Sequence, residues 1–215
     1  VSLRGHGGSE GSLMKSHLGS YVDDVIRTAA SLPKQAILVG HSLGGLVVQR
    51  TIAKYAARAA VLLAPVGARS GVRVMAKIAA QHPGDALKIT AGGSLRLRYE
   101  YLFENLGREE AERYLARCSG ESPWAQYQVL MHKPSDPPRG GAPVLVMSTP
   151  DDNLIPASDT RDTARRYSAT HLEFPGIGHD LMLDEGWQGP GRALIDWLGE
   201  TVSAGGQPAV AGSSA

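Results

Sequence analysis

The sequence predicts an α/β fold: a parallel sheet with helices on both faces and a helical segment inserted between its two halves. Three observations predict it. Over residues 1–65, short apolar runs alternate with helix-period segments, the pattern of βαβ units. Over 66–140 the periodicity is helical throughout, and over 141–202 the alternation resumes. Residues 203–215, rich in Gly, Ser and Ala, are expected to form a disordered tail.

Taken in order, Val1-Ser2-Leu3 reads as the end of a strand and leads into Arg4-Gly5-His6-Gly7-Gly8-Ser9. Tyr21, Val22, Val25, Ile26 and Ala29 share one helix face, and Pro33 closes that helix. Ala36 to Val39 is a continuous apolar run of strand length, as expected for a strand covered on both faces. Leu46, Val47, Ile52 and Tyr55 mark the next helix, and Ala60 to Leu63 the next buried strand.

The insertion shows four helical stripes and no strand. Val72, Met75, Ala76 and Ala79 form one, ended by Pro83; Leu95, Tyr99, Leu102, Phe103 and Leu106 form another. Ala111, Tyr114, Leu115 and Cys118 form the third, with Cys118 expected as a packed small hydrophobe. Ser122-Pro123 opens the fourth as N-cap and first helical residue, with Trp124, Tyr127 and Met131 on one side. Arginines and glutamates interleaved from Arg96 to Arg117 read as a solvated face. Beyond the linker Pro134 to Gly141 come a strand at Val144 to Met147, a helix at Ser158 to Tyr167 and a strand at Thr170 to Phe174. A closing helix carries Ala193, Leu194, Trp197 and Leu198.

The 215 residues, 42% hydrophobic and 20% charged, exclude wholesale disorder and a fibrous rod. A net charge of +1 leaves no global field for nucleic acid or an anionic membrane. No apolar run approaches the ~20 residues of a membrane span. The single cysteine cannot form an internal disulfide, and the histidines are scattered without ligand spacing, so no metal or cofactor is expected. A small molecule is the expected partner. A cytoplasmic location is expected, with the true amino terminus lying ahead of Val1. Oligomeric state is not encoded in any legible way.

Gly40-His41-Ser42-Leu43-Gly44 matches Gly-x-Ser-x-Gly, the turn that exposes a nucleophilic serine between a strand and a helix. Gly7-Gly8-Ser9-Glu10-Gly11 matches too, but Ser9 is followed by a polar, helix-poor stretch, whereas Ser42 has the strand before it and the helix after it. A serine hydroxyl needs a base to remove its proton. Of the seven histidines, His82 and His132 end helices, His171 lies in a strand, His17 in a polar loop, and His41 is held by the turn itself. His179 lies in the glycine-flanked loop Pro175-Gly176-Ile177-Gly178-His179-Asp180 beyond a strand's carboxyl end, where open α/β sheets place their sites. An acid to orient the imidazole is available in Asp151 or Asp152 after the strand at Val144. Asp180 reads as a cap.

These motifs together resemble the α/β-hydrolase superfamily with a helical cap, over the chain from its first residue to about Gly199. Ser2 to Ser9 resembles the family's Arg-Gly-His-Gly-x-Ser loop, Val39 to Gly45 its nucleophile elbow, and Gly176 to His179 its histidine loop. Asp152-Asn153-Leu154-Ile155-Pro156 resembles its Asp-x-x-x-Pro acid turn, which favours Asp152 over Asp151. The resemblance implies a triad of Ser42, Asp152 and His179, an oxyanion donor in the Leu43 backbone N–H, and a pocket roofed by the cap. Candidate pocket residues are His41, Met75, Leu95, Phe103, Trp124 and Tyr127. It also implies first strands and a His-Gly loop ahead of Val1, so an amino-terminal truncation is expected, with one of two oxyanion donors missing. The expected activity is hydrolysis of small or medium acyl esters, with monoacylglycerol or lysophospholipid-like substrates included. Cofactor-free haloperoxidase-like or carbon–carbon bond hydrolysis on the same triad, and a non-catalytic ligand-binding fold, are the alternatives.

Overall fold

The computed structural model describes residues 1–69, 71–93, 95 and 97–204. Four strands, β1 (Ile37–His41), β2 (Ala59–Leu63), β3 (Val144–Ser148) and β4 (Thr170–Glu173), run parallel in the order β1-β2-β3-β4. The register pairs Val39 with Val61, Val61 with Leu145 and Met147 with Leu172. Parallel neighbours require crossovers, and these are α2 (Leu43–Ile52), a helical insertion, and α8 (Ala157–Tyr167).

One face of the sheet packs on α1 (Leu18–Ala30), α2 and α8 through Ala29, Leu38, Val48, Ile52, Leu62, Val146 and Ala164. The other packs on α9 (Gln188–Ala204) through Val61, Leu145, Met147, Leu194 and Trp197. β2 and β3 are buried on both faces, as their continuous apolar runs require. β1 departs from that expectation. Leu38 is buried, but Ile37 and Val39 are 37% and 51% exposed, because α9 covers the central strands and stops short of this edge strand. Val1–Leu3 forms no strand, since it has no ladder partner among the described residues.

Among the described residues the insertion between β2 and β3 holds five α-helices rather than four stripes: α3 (Val72–Gln81), α4 (Pro83–Thr90), α5 (Tyr99–Leu102), α6 (Arg108–Leu115) and α7 (Pro123–Met131). Pro83 does not only end α3. It is also the first residue of α4, where a missing N–H costs nothing. The second stripe shrinks to the single turn of α5, and Cys118, three residues past the end of α6, is exposed rather than packed. Ser122 caps α7 as expected, its Oγ accepting the Ala125 N–H at 3.3 Å. His17, read as a loop residue, caps α1 by accepting the Ser20 N–H on Nδ1. Of the interleaved charges, Arg98 forks onto the buried Asp85 rather than facing water alone, and Arg96 lies outside the described residues.

Ile78, Leu102, Phe103, Ala111 and Ala125 of this region share one apolar cluster with Leu18 and Tyr21 of α1, Leu46 of α2, and Leu154 and Ile155. The insertion is thus packed onto the carboxyl ends of the strands rather than tethered over them. α9 carries the helix through Ala204; residues 205–215 of the expected tail lie outside the described residues. Among the described residues no helix is long and apolar enough to cross a membrane.

Candidate active site

At the exit of β1 the chain reverses into α2 within one residue. Ser42 has φ 51 and ψ −118, a backbone conformation that costs a non-glycine residue roughly 1–3 kcal/mol. Its N–H donates to Leu63 O and its carbonyl accepts from Gly45 and Val66, which hold the turn from both sides. Two glycines make it possible. A Cβ on Gly40 would lie 2.3 Å from Gly44 O, and one on Gly45 would lie 2.7 Å from Pro65 Cβ. Gly44, by contrast, has open space around it. Leu43 opens α2, so its N–H has no acceptor within the helix. Ser9, the other motif serine, spends its hydroxyl on Ser2 O inside a surface loop.

Asp152 follows β3 in a tight turn. Its Oδ1 accepts the Leu154 and Ile155 N–H groups at 2.8 and 2.7 Å, leaving Oδ2 to face His179 Nδ1 at 2.7 Å. Both side chains are buried. Asp151 points elsewhere, accepting the Gly176 N–H and so tying down the start of the histidine loop. Burial alone would push the His179 imidazole down; the Asp152 carboxylate, through its charge and its hydrogen bond, outweighs this and holds it above its ordinary value. The other ring nitrogen, Nε2, is buried without a hydrogen-bond partner. No hydrogen bond joins it to Ser42.

The histidine loop is clamped to the insertion. Asp184, fully buried, accepts the N–H groups of Glu104, Asn105, Gly178 and Glu185. Gly178 lies so close to α5 that a Cβ there would stand 2.7 Å from Leu102 O. From α3, Lys77 Nζ donates to Asp152 O. Neither Asp184 nor Lys77 carried a sequence signal, because the contacts that tie them to another part of the fold, Asp184 to Glu104 and Asn105 and Lys77 to Asp152, span 75 to 80 positions.

Ser42 and Leu43 open onto a cavity of about 380 Å³ lined by Val74, Met75, Ile78, Ile89, Leu95, Leu97 and Val129, with Leu154 and Ile155 from the acid turn. One end of it is polar. There His6 Nε2 lies 3.1 Å from Tyr21 Oη and 3.3 Å from Glu121, and Nδ1 3.4 Å from Ser119 Oγ. Of the candidate pocket residues, Met75 and Leu95 line the cavity. Phe103 does not: it is buried in the packing beneath. Trp124 and Tyr127 lie on the outer face of α7, 61% and 58% exposed, because a helical stripe does not reveal which way it turns.

His41 also points away from the cavity. Its Nε2 lies 3.1 Å from His179 O and 3.3 Å from Asp180 Oδ1, and the two imidazole rings are 4.7 Å apart. Burial and the neighbouring His179 push His41 down to about 3. Burial pushes Asp180 up to about 6, with His179 pulling it back and Asp152 adding to the rise. His41, His179 and Asp180 can each bring a ligand atom within 4.8 Å of the other two. The fold therefore brings His41 beside His179 and Asp180, which stand far from it in the sequence. His132 and His171 are structural, bonded to Val129 and Gly67 carbonyls and to Ser148 Oγ respectively.

Comparison with known structures returns the same architecture. The monoacylglycerol lipase of Paleococcus ferrophilus superposes with a TM-score of 0.67 at 22% identity, covering 92% of this chain and 80% of that one. An esterase from Exiguobacterium antarcticum gives 0.67 at 15% identity, with 92% and 79% covered. A proline iminopeptidase-related protein from Thermus thermophilus gives 0.71 at 21% identity, with 94% and 79% covered. No curated protein matches the sequence. The model of the alpha/beta hydrolase family matches residues 1–189. With a parallel sheet, a helical insertion above its carboxyl edge and that match along most of its length, the chain belongs to the alpha/beta hydrolase family.

Proposed function

We propose that the chain is a serine hydrolase of carboxylic esters with small or medium acyl groups, monoacylglycerol and lysophospholipid-like esters included, working through an acyl-enzyme. The observation that carries this reading is the strained Ser42 elbow at the mouth of an apolar cavity, beside a buried Asp152–His179 pair whose outer nitrogen is uncommitted. A catalytic hydrogen bond often forms only when substrate arrives, so the missing Ser42–His179 contact is compatible with it.

In this mechanism Ser42 Oγ attacks the ester carbonyl carbon as its proton passes to His179 Nε2. Asp152 holds the imidazole by Nδ1 and stabilises its charged form. The oxyanion takes the Leu43 N–H at the head of α2. The tetrahedral intermediate collapses, the carbon–oxygen ester bond breaks, and His179 returns the proton to the departing alkoxide. Water, deprotonated by His179, then attacks the acyl-serine and releases the acid and Ser42. The insertion serves as the cap, supplying Met75 and Ile78 of α3 and Ile89 of α4 to the acyl cavity.

The test is a p-nitrophenyl ester series with graded acyl length, run beside fluorophosphonate labelling on the chain and on Ser42→Ala. Hydrolysis and labelling that both vanish in Ser42→Ala support the reading. Turnover that survives in Ser42→Ala overturns it, as does a chain that is neither labelled nor active.

A further inference from the structure

We propose that His41, His179 and Asp180 form a binding site for Zn²⁺, occupied through His41 Nε2, His179 Nε2 and an Asp180 carboxylate oxygen. Two nitrogens and one oxygen with a fourth position open is a common zinc donor set. Ligands 2.0–2.2 Å from a tetrahedral ion stand about 3.3 Å apart, and His41 Nε2 and Asp180 Oδ1 lie at 3.3 Å.

The third ligand is prepared independently. His179 is 1% exposed and its Nε2 has no partner, so a buried lone pair or N–H is left unused. Its Nδ1 faces Asp152 Oδ2 at 2.7 Å, and Asp152 is itself fixed by the Leu154 and Ile155 N–H groups. A carboxylate behind the far nitrogen is the arrangement that orients zinc-binding histidines and raises their basicity. The features that suit His179 to accept a proton suit it equally to accept a metal. All three residues offer ligand atoms within 4.8 Å of one another, and binding would draw them to the tetrahedral separation of about 3.3 Å. His41 is 26% exposed, which leaves a path for the ion and for a water in the fourth position. On binding, His41 Nε2 exchanges its contacts with His179 O and Asp180 for the metal, its proton residing on Nδ1.

Occupation would take the His179 Nε2 lone pair, and Ser42 would lose its base. That consequence rests on the function proposed above; the site itself does not. The experiment is calorimetric titration of the chain with Zn²⁺, and with Co²⁺ followed by visible absorption, beside His41→Gln, Asp180→Asn and Asp152→Asn, each checked for folding by circular dichroism. One Zn²⁺ per chain is expected, with affinity about 10- to 100-fold weaker in Asp152→Asn and at least as much weaker in the two ligand variants. Fluorophosphonate labelling should slow with Zn²⁺ and recover with EDTA. Absence of saturable one-to-one binding overturns the proposal, as does binding unchanged in both His41→Gln and Asp180→Asn. If the variant-sensitive binding is seen but Ser42 is never labelled, with or without metal, the site stands and the hydrolase reading falls.

Discussion

His179 Nδ1 and Asp152 Oδ2 face each other at 2.7 Å, with both side chains closed to water. Replacing Asp152 by Asn keeps the shape and removes the charge, so the imidazole loses its preferred tautomer. Asp152→Asn is expected to lower kcat by about 10⁴-fold with little change in KM. Esterase kinetics on a short-chain substrate measure it. Because Asp152 outweighs burial and holds His179 above its ordinary 6.5, kcat/KM of the unaltered chain should rise with pH through a midpoint above that value. A midpoint well below 6.5 would contradict the pairing.

Asp180 titrates at about 6 rather than 3.8, chiefly because burial penalises its charged form. Its folded pKa is raised, so its contribution to stability is full below pH 3.8 and is lost as pH climbs through about 6. The loss is on the order of 3 kcal/mol. Asp180→Asn does not titrate. The Tm of the unaltered chain should therefore fall relative to that of the variant between pH 4 and 6, as calorimetric scans in that range would record. Parallel Tm curves would refute it.

Asp184 holds four backbone N–H groups at once, two of them in the insertion and one beside His179. Asp184→Ala strands these donors in a buried site and is expected to cost about 3 kcal/mol or more. Glu185→Ala next to it, on an exposed side chain, should stay within about 0.5 kcal/mol. Urea unfolding of the two variants separates them; equal midpoints would show that the clamp is not structural.

Met75 lines the apolar cavity from α3. Met75→Trp should narrow the cavity at α3 and raise KM for octanoyl or longer esters by about 10-fold or more, while acetyl esters turn over as before. A uniform loss across chain lengths would place the acyl group elsewhere.

Much of this architecture is legible before folding. The runs at Ala60–Leu63 and Val144–Met147 are apolar without a break because both faces of those strands are covered. Of the motif glycines Gly40 and Gly44, only Gly40 stands where a Cβ is excluded; the second crowded position is the next residue, Gly45. What stayed hidden depends on distant partners. The exposure of Val39 follows from which strands α9 packs on, β2 to β4 and not β1, and the outward turn of Trp124 and Tyr127 from how α7 sits on its neighbours. Pro83 is equally at home after one helix and at the start of the next. His41 and Asp180 meet across 139 positions of sequence, which no local spacing rule can register.

The uncovered side of β1 bears on how the chain must be handled. Among the described residues β1 is an edge strand, and an edge strand is a template onto which another chain can add. Protein concentration thereby becomes an experimental variable: activity per chain and sedimentation should be recorded over a dilution series. A loss of specific activity in concentrated samples would then report sheet-to-sheet association, not a defect in the chemistry at Ser42.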